Sequence, residues 1–174
     1  MNQKKETNKY DVTVNLPYPP VQSGGHKREY AYAMLSNIAS NICEMNAISL
    51  YFYNSVILNP DYAEFARCFD EISIIEMHHL NIFATLAYQM GADPRLWSSR
   101  NRRAHYWSPS YNQYPRKIRE VIENSIKGEE ATIAKYNKQM QIINDANIVE
   151  NLKRIIIDEK RHIEVFNMML ESLN

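Results

Sequence analysis

Apolar residues recur every three or four positions along four long stretches of this chain. The first stretch spans about residues 28–58 and the second about residues 62–90, where Gly91 follows as a natural helix stop. The third and fourth span about residues 115–144 and 145–173. Because this spacing places apolar side chains on one face of an α-helix, the pattern predicts four long helices. The apolar face of the first consists of Tyr30, Met34, Ile38, Ile42, Ile48 and Tyr51.

The connections between the predicted helices indicate how they are arranged. Asn59-Pro60 ends the first helix, and Asp145 is suited to cap the fourth. Residues 92–114 form a much longer connection, whose length permits a crossover along the bundle instead of a tight hairpin. Residues 28–174 are therefore predicted to form an all-α four-helix bundle with one long crossover between the second and third helices. Residues 1–27, rich in proline and glycine towards their end, are predicted to form an extended N-terminal arm.

Composition removes several classes of function. The 174 residues carry 20 basic and 20 acidic side chains, so bulk charge does not favour nucleic-acid binding. Cys43 and Cys68 form no Cys-x-x-Cys pair, which disfavours a thiolate metal site or a disulfide framework. The polar N-terminus does not resemble a signal peptide, and no apolar run is long enough to span a membrane. We therefore expect a cytoplasmic protein with no membrane and no nucleic-acid partner.

Four glutamates lie near the midpoints of the predicted helices: Glu44, Glu76, Glu129 and Glu159. In a bundle of nearly antiparallel helices of equal length, helix midpoints share one level, so these side chains could converge in the core. No Lys or Arg lies three, four or seven residues from any of them, which are the positions on the same helix face. Because a buried charge must be paired, neutralised or bound to metal, the pattern points to metal ligands.

Two of these glutamates are followed by a histidine three residues later, as Glu76-x-x-His79 and Glu159-x-x-His162. This spacing presents a carboxylate oxygen and an imidazole nitrogen side by side on one helix turn. Oxygen and imidazole ligands together suit iron, manganese or zinc. Glu130, which competes with Glu129, shares a face with Lys127 and is interpreted as a solvated residue.

The two halves of the chain repeat this pattern. Seven residues separate Glu44 from Tyr51, and seven separate Glu129 from Tyr136. Such duplication implies a pseudo-two-fold site holding two metals, because four carboxylates and two neutral imidazoles balance two divalent ions. Tyr51 and Tyr136 are either core aromatics or hydrogen-bond donors to ligand carboxylates. Asp158, directly before Glu159, is a candidate for orienting a histidine on another helix.

This ligand pattern over residues 28–174 resembles the ferritin-like di-iron and di-manganese carboxylate proteins, in particular the rubrerythrin and manganese-catalase branch. The resemblance implies an up-down-down-up bundle in which Glu76 and Glu159 bridge two iron or manganese ions. Glu44 and Glu129 would be terminal ligands, and His79 and His162 would each hold one ion. The chain departs from rubrerythrins proper because it contains no Cys-x-x-Cys pairs of a rubredoxin domain.

Two further departures concern the site itself. Rubrerythrins tend to carry an additional glutamate three residues after the third-helix ligand, where this chain has Thr132. The residue before Glu76 is Ile75, so one half lacks the counterpart of Asp158.

The resemblance implies three alternative functions. The first is an oxidoreductase of the peroxidase or catalase type, acting on hydrogen peroxide or O₂, with reducing electrons from a separate donor protein. The second is iron oxidation and storage, which requires a cage of many subunits. The third is a structural, coat-type role in which metal staples the fold. In each case we expect a homodimer or higher homo-oligomer.

Overall fold

The computed structural model describes residues 10–174, and it has the ferritin-like four-helix bundle that the sequence predicts. Two helices, α1 (Arg28–Ala39) and α2 (Glu44–Leu58), form the first rod of the bundle, and α3 (Ala63–Gln89) forms the second. After the crossover come α4 (Ile118–Ile142) and α5 (Ala146–Ser172). Asp145 caps α5 as predicted, because its Oδ1 accepts from the backbone N–H groups of Asn147 and Ile148.

The prediction of one continuous helix over residues 28–58 is wrong. The rod is interrupted at residues 40–43, where Ser40 and Cys43 adopt extended backbone conformations. Lys135 on α4 fills the break, since its Nζ donates to the carbonyl oxygens of Ser36 and Ile42, each at 2.7 Å. These two carbonyl oxygens, which also accept from the N–H and the hydroxyl of Ser40, thus gain a charged donor where the helical hydrogen bonding is interrupted. As a consequence, Glu44 is the first residue of α2 and not the middle of a helix.

The crossover contains local structure that the sequence pattern did not reveal. Strands β1 (Trp97–Arg100) and β2 (Arg103–Tyr106) pair antiparallel, and their two-residue turn places Asn101 and Arg102 at positive φ. A short 3₁₀ turn, Pro109–Tyr111, follows. α4 begins three residues later than predicted, because Lys117 keeps an extended backbone.

The N-terminal arm packs against the bundle over its described part, residues 10–27. Tyr10 and Val12 are buried in the apolar core. The guanidinium of Arg154 on α5 donates to the carbonyl oxygen of Leu16 at 2.9 and 3.1 Å, which fixes the middle of the arm on the helix. Residues 1–9 of the predicted arm lie outside the described residues.

Two apolar clusters fill the bundle, one at each end. The first includes Met34, Phe83 and Leu152, and the second includes Phe69 and Phe166. On α3, α4 and α5 the members of the two clusters are separated by a stretch that carries buried polar residues. The bundle therefore contains a polar layer closed above and below by packed hydrocarbon.

Candidate metal centre

The polar layer contains all six residues that the sequence predicts as metal ligands. Glu44 comes from α2, Glu76 and His79 from α3, Glu129 from α4, and Glu159 and His162 from α5. None of these side chains is more than 2% exposed. Four acidic side chains removed from water in this way are costly unless cations lie among them.

The six residues form two overlapping groups of four. Glu44, Glu76, His79 and Glu159 form the first, which we call the His79 group; Glu76, Glu129, Glu159 and His162 form the second, the His162 group. Within each group, one potential ligand atom per residue lies within 4.8 Å of the others. Glu76 and Glu159 belong to both groups, which is the arrangement that bridging carboxylates require.

Each imidazole points its Nδ1 at three carboxylates. Nδ1 of His79 lies 3.0 Å from Glu76, 3.5 Å from Glu159 and 3.9 Å from Glu44. Nδ1 of His162 lies 3.0 Å from Glu76, 3.2 Å from Glu159 and 3.4 Å from Glu129. One N–H cannot satisfy three acceptors, whereas a metal ion can contact the imidazole and all three carboxylates at once.

Burial and neighbouring charges shift the pKa values of the carboxyl groups in the metal-free cluster. Burial, together with the charges of Glu159 and Glu76, raises the pKa of Glu129 to about 8. Burial and the same two neighbours raise the pKa of Glu44 well above its ordinary value. Burial alone would raise the pKa of Glu76, but His79 and His162 hold it well below the usual range.

The two imidazoles show the matching effect. Burial alone would lower their pKa values, but Glu76 and the carboxylates around it raise the pKa of both His79 and His162 well above the ordinary value. In the absence of metal, protons bound to the groups with raised pKa values therefore offset the buried negative charge of the cluster.

Tyr51 and Tyr136 hydrogen-bond to the predicted terminal ligands in a crossed pattern. The hydroxyl of Tyr51 on α2 donates to Oε1 of Glu129 on α4 at 2.5 Å. The hydroxyl of Tyr136 on α4 donates to Oε1 of Glu44 on α2. Each half of the internal repeat thus orients the carboxylate of the other half.

Asp158 contacts the outer nitrogen of His79, the orienting position that was predicted for it. Its Oδ2 accepts from Nε2 of His79 at 3.1 Å, and its Oδ1 pairs with Nη1 of Arg154 at 2.6 Å. Burial would raise the pKa of Asp158, but its bonds to His79, Arg154 and Tyr18 lower it. The aspartate is therefore charged, and its charge is balanced locally.

Tyr18 is a residue of this site that sequence reasoning missed. Its hydroxyl donates to Oδ2 of Asp158 at 2.5 Å and lies 3.2 Å from Nε2 of His79. Burial, partly offset by His79, raises the pKa of Tyr18 to about 12, so the hydroxyl stays protonated. Only its position within an aromatic and proline-rich arm marked it, since no helical periodicity reaches residues 10–27.

Glu130, interpreted from the sequence as a solvated residue, lies outside the cluster, and so does His78. Glu130 and His78 are exposed, next to buried Glu129 and His79 respectively. His78 instead contacts the ring of Tyr18, with ring centroids 4.5 Å apart. Both cysteines are buried free thiols, and Cys43 lies in the helix break.

A cavity of about 340 Å³ opens beside the cluster, between α2 and α4. Tyr51, Glu129 and Thr132 line it, together with Cys43 and Gly128. Small Thr132, at the position where rubrerythrins tend to have a further glutamate, leaves space next to Glu129. Of the six predicted ligands, Glu129 alone lines this cavity. The cavity therefore gives a small molecule access to the His162 group.

The donor set fits two divalent metal ions. Oxygen and imidazole ligands suit iron and manganese, and sharing of Glu76 and Glu159 between the groups suits a dinuclear centre. Oε1 of Glu159 is buried and makes no hydrogen bond to any part of residues 10–174. A metal ion bound between these ligands would satisfy this oxygen.

Comparison with known proteins agrees with this geometry. The rubrerythrin family model matches residues 38–170. A manganese catalase from Anabaena, KatB, superposes with a TM-score of 0.81 at 18% identity, over 92% of this chain and 80% of that one. The bacterioferritin BfrA of Mycobacterium tuberculosis superposes with a TM-score of 0.69 at 19% identity, over 86% of this chain and 88% of that one. A search of curated protein sequences gives no significant match.

Within residues 10–174, no helix combines the length and the hydropathy needed to cross a lipid bilayer.

Proposed function

The chain belongs to the rubrerythrin family, and on this basis we propose that it is a dinuclear iron or manganese oxidoreductase acting on hydrogen peroxide or O₂. The two overlapping groups of four buried ligands are the observation that carries the proposal. A metal used only as a staple needs no cavity, whereas this cluster has one that reaches Glu129 and Tyr51. The bundle also superposes on KatB, a manganese catalase from Anabaena.

Iron and manganese ions both change oxidation state, so a pair of them in this centre would supply two redox equivalents together. Reduction of one peroxide to two waters takes two electrons and two protons. In the catalase reaction a second peroxide supplies both and leaves as O₂; in the peroxidase reaction an external donor protein supplies the electrons.

The chain's own residues determine how such a reaction would proceed. The two apolar clusters exclude water from the ends of the polar layer, so a small oxidant enters from the side, between α2 and α4. Burial and the charge of Glu129 raise the pKa of Tyr51 well above its ordinary value. Tyr51 therefore keeps its proton and holds Oε1 of Glu129 in place at the cavity wall.

Peroxide consumption tests the proposal. Metal-free protein is loaded with Fe²⁺ or Mn²⁺, and peroxide and O₂ are followed with and without a reductant. Peroxide loss with O₂ release supports the catalase reaction, and loss only with reductant supports the peroxidase reaction. No loss in any arm, with both metals shown to be bound, would overturn the proposal in favour of iron storage or a staple.

Iron oxidation and storage is the second candidate, because the bundle also superposes on a bacterioferritin. Storage requires a closed cage, so size-exclusion chromatography separates the candidates. We expect a homodimer or a small homo-oligomer, whereas a cage of many subunits that retains iron would favour storage.

A further inference from the structure

The two histidines of the centre differ in what holds their outer nitrogens. Nε2 of His79 lies 3.1 Å from Asp158 and 3.2 Å from the hydroxyl of Tyr18. Nε2 of His162 is fully buried, and no group within residues 10–174 accepts a hydrogen bond from it. The pseudo-two-fold site is therefore asymmetric in its outer contacts, although its six ligand candidates are matched.

The asymmetry follows from a difference between the two halves of the sequence. Asp158 directly precedes Glu159 on α5 and reaches His79 on α3. The corresponding position on α3, directly before Glu76, is Ile75, whose apolar side chain cannot accept a hydrogen bond from His162. One half of the repeat thus carries an orienting carboxylate and the other half carries hydrocarbon.

The N-terminal arm reinforces the same half. Tyr18 donates to Asp158 at 2.5 Å, and the guanidinium of Arg154 lies 4.2 Å from the centre of the Tyr18 ring. Arg154 also binds the carbonyl oxygen of Leu16, so one guanidinium contacts both the arm and Asp158. Asp158 therefore has a fixed orientation, because Oδ2 accepts from Tyr18 and His79 and Oδ1 forms an ion pair with Arg154.

A carboxylate on the outer nitrogen of a metal-bound histidine fixes its tautomer and raises the basicity of the coordinating nitrogen, and its loss typically weakens metal binding about 10–100-fold. In this chain, that carboxylate support reaches the His79 group alone.

The cavity, in contrast, adjoins the His162 group, because it is lined by Glu129 and by neither Glu44 nor His79.

We infer that the two metal positions are unequal: the His79 group binds its ion tightly, and the His162 group, which opens to the cavity, binds the exchangeable ion. Tyr18 and Asp158 act as positioning residues for the tight position. This inference rests on the proposed dinuclear centre and adds to it which ion is retained. A second consequence is that the arm, whose described residues 10–27 contribute no metal ligand, controls retention.

Titration of metal-free, full-length protein with Mn²⁺, followed by calorimetry and by the spectrum of free Mn²⁺ in paramagnetic resonance, tests the inference. We expect two binding steps whose dissociation constants differ at least about tenfold. His162→Ala should remove the weaker step, and His79→Ala the tighter one. Two equal steps in the unchanged protein would overturn the inference while leaving the dinuclear centre intact, and absence of any binding would instead overturn the proposed function.

The arm is tested with conservative variants. Tyr18→Phe and Asp158→Asn should weaken the tight step about tenfold or more and leave the weak step unchanged. Tyr10→Phe is the matched control, since Tyr10 is an arm tyrosine that bonds Ser172 at the far end of α5. Circular dichroism confirms that each variant is folded, and Tyr18→Phe provides the test if Asp158→Asn does not fold. Equal weakening of both steps by Tyr18→Phe, or the same change with Tyr10→Phe, would contradict the inference.

Discussion

The hydroxyl of Tyr51 on α2 donates a 2.5 Å hydrogen bond to Oε1 of Glu129 on α4. Tyr136 returns the same contact to Glu44, so the halves of the repeat orient each other's terminal carboxylate. This exchange explains why the same seven-residue spacing between glutamate and tyrosine occurs twice. The tyrosine seven residues after one glutamate serves the other glutamate, not its own.

Replacement of Tyr51 tests this contact. Tyr51→Phe keeps the ring in its apolar cluster but removes the only hydrogen bond that orients Glu129 from α2. We expect about tenfold weaker binding of one metal ion, with unchanged helix content, measured by metal titration and circular dichroism. Tyr53→Phe, two residues along α2 and half-buried against Tyr114, is the control. Equal affinities for all three proteins would show that the bond does not orient the ligand.

The neighbouring glutamates Glu129 and Glu130 provide a matched pair on α4. Glu129→Gln removes a predicted terminal ligand, whereas Glu130→Gln changes an exposed side chain. We expect the bound metal to fall from two ions per chain towards one in Glu129→Gln and to remain at two in Glu130→Gln. Elemental analysis after gel filtration measures this, and loss of metal from the Glu130 variant alone would reverse the assignment.

The helix break at residues 40–43 predicts a stability effect outside the ligands. Lys135→Met removes the charged donor to the half-buried carbonyl oxygens of Ser36 and Ile42, each of which keeps only a weaker neutral donor from Ser40. We expect a loss of about 1–3 kcal/mol in the free energy of unfolding, measured by urea denaturation. Lys138→Met, an exposed change one turn further along α4, should cost much less. Equal effects would mean that Lys135 does not stabilise the break.

The metal-free protein should lose stability as pH rises from 6 to 8. Glu44, Glu129, His79 and His162 all have raised pKa values in the folded state. The folded chain therefore binds more protons than the unfolded chain over this range, and its stability falls with pH. Glu76, with its lowered pKa, opposes this slope only below about pH 4.5, and Lys135, whose pKa burial lowers to about 8, opposes it only above about pH 8. Burial also lowers the pKa of exposed His78, which opposes the slope near pH 6 as one group against four. Melting temperatures at pH 6, 7 and 8 measure the slope, and a rising curve would contradict it.

Metal loading should raise the melting temperature. It should also reverse the pH dependence, so that the stability of the metal-bound protein rises with pH. Metal ions displace the protons of the cluster, so higher pH favours binding to deprotonated ligands. At free metal about 1,000 times the dissociation constant, binding to the folded state alone adds about 4 kcal/mol of stability. Melting with and without a chelator measures the difference; identical curves, after removal of metal is verified, would count against the site.

Helical periodicity and the Glu-x-x-His spacing were sufficient to predict the bundle, its crossover and the residues that meet in the polar layer. The break before Glu44 was not predictable, because it depends on Lys135, about 90 residues away along the chain. Tyr18 was missed for a similar reason, since the arm has no periodic pattern and its place is set by tertiary contacts with Arg154 and Asp158. Local spacing reports which residues share a helix face, but not which distant side chain completes their contacts.

The most direct test is a crystal structure of the full chain loaded with Mn²⁺ or Fe²⁺, with anomalous data collected on both sides of the metal's absorption edge. The account predicts two anomalous peaks in the polar layer, one among Glu44, Glu76, His79 and Glu159 and the other among Glu76, Glu129, Glu159 and His162. A layer without anomalous density, or a single ion bound elsewhere on the chain, would contradict the dinuclear centre and the oxidoreductase function proposed from it.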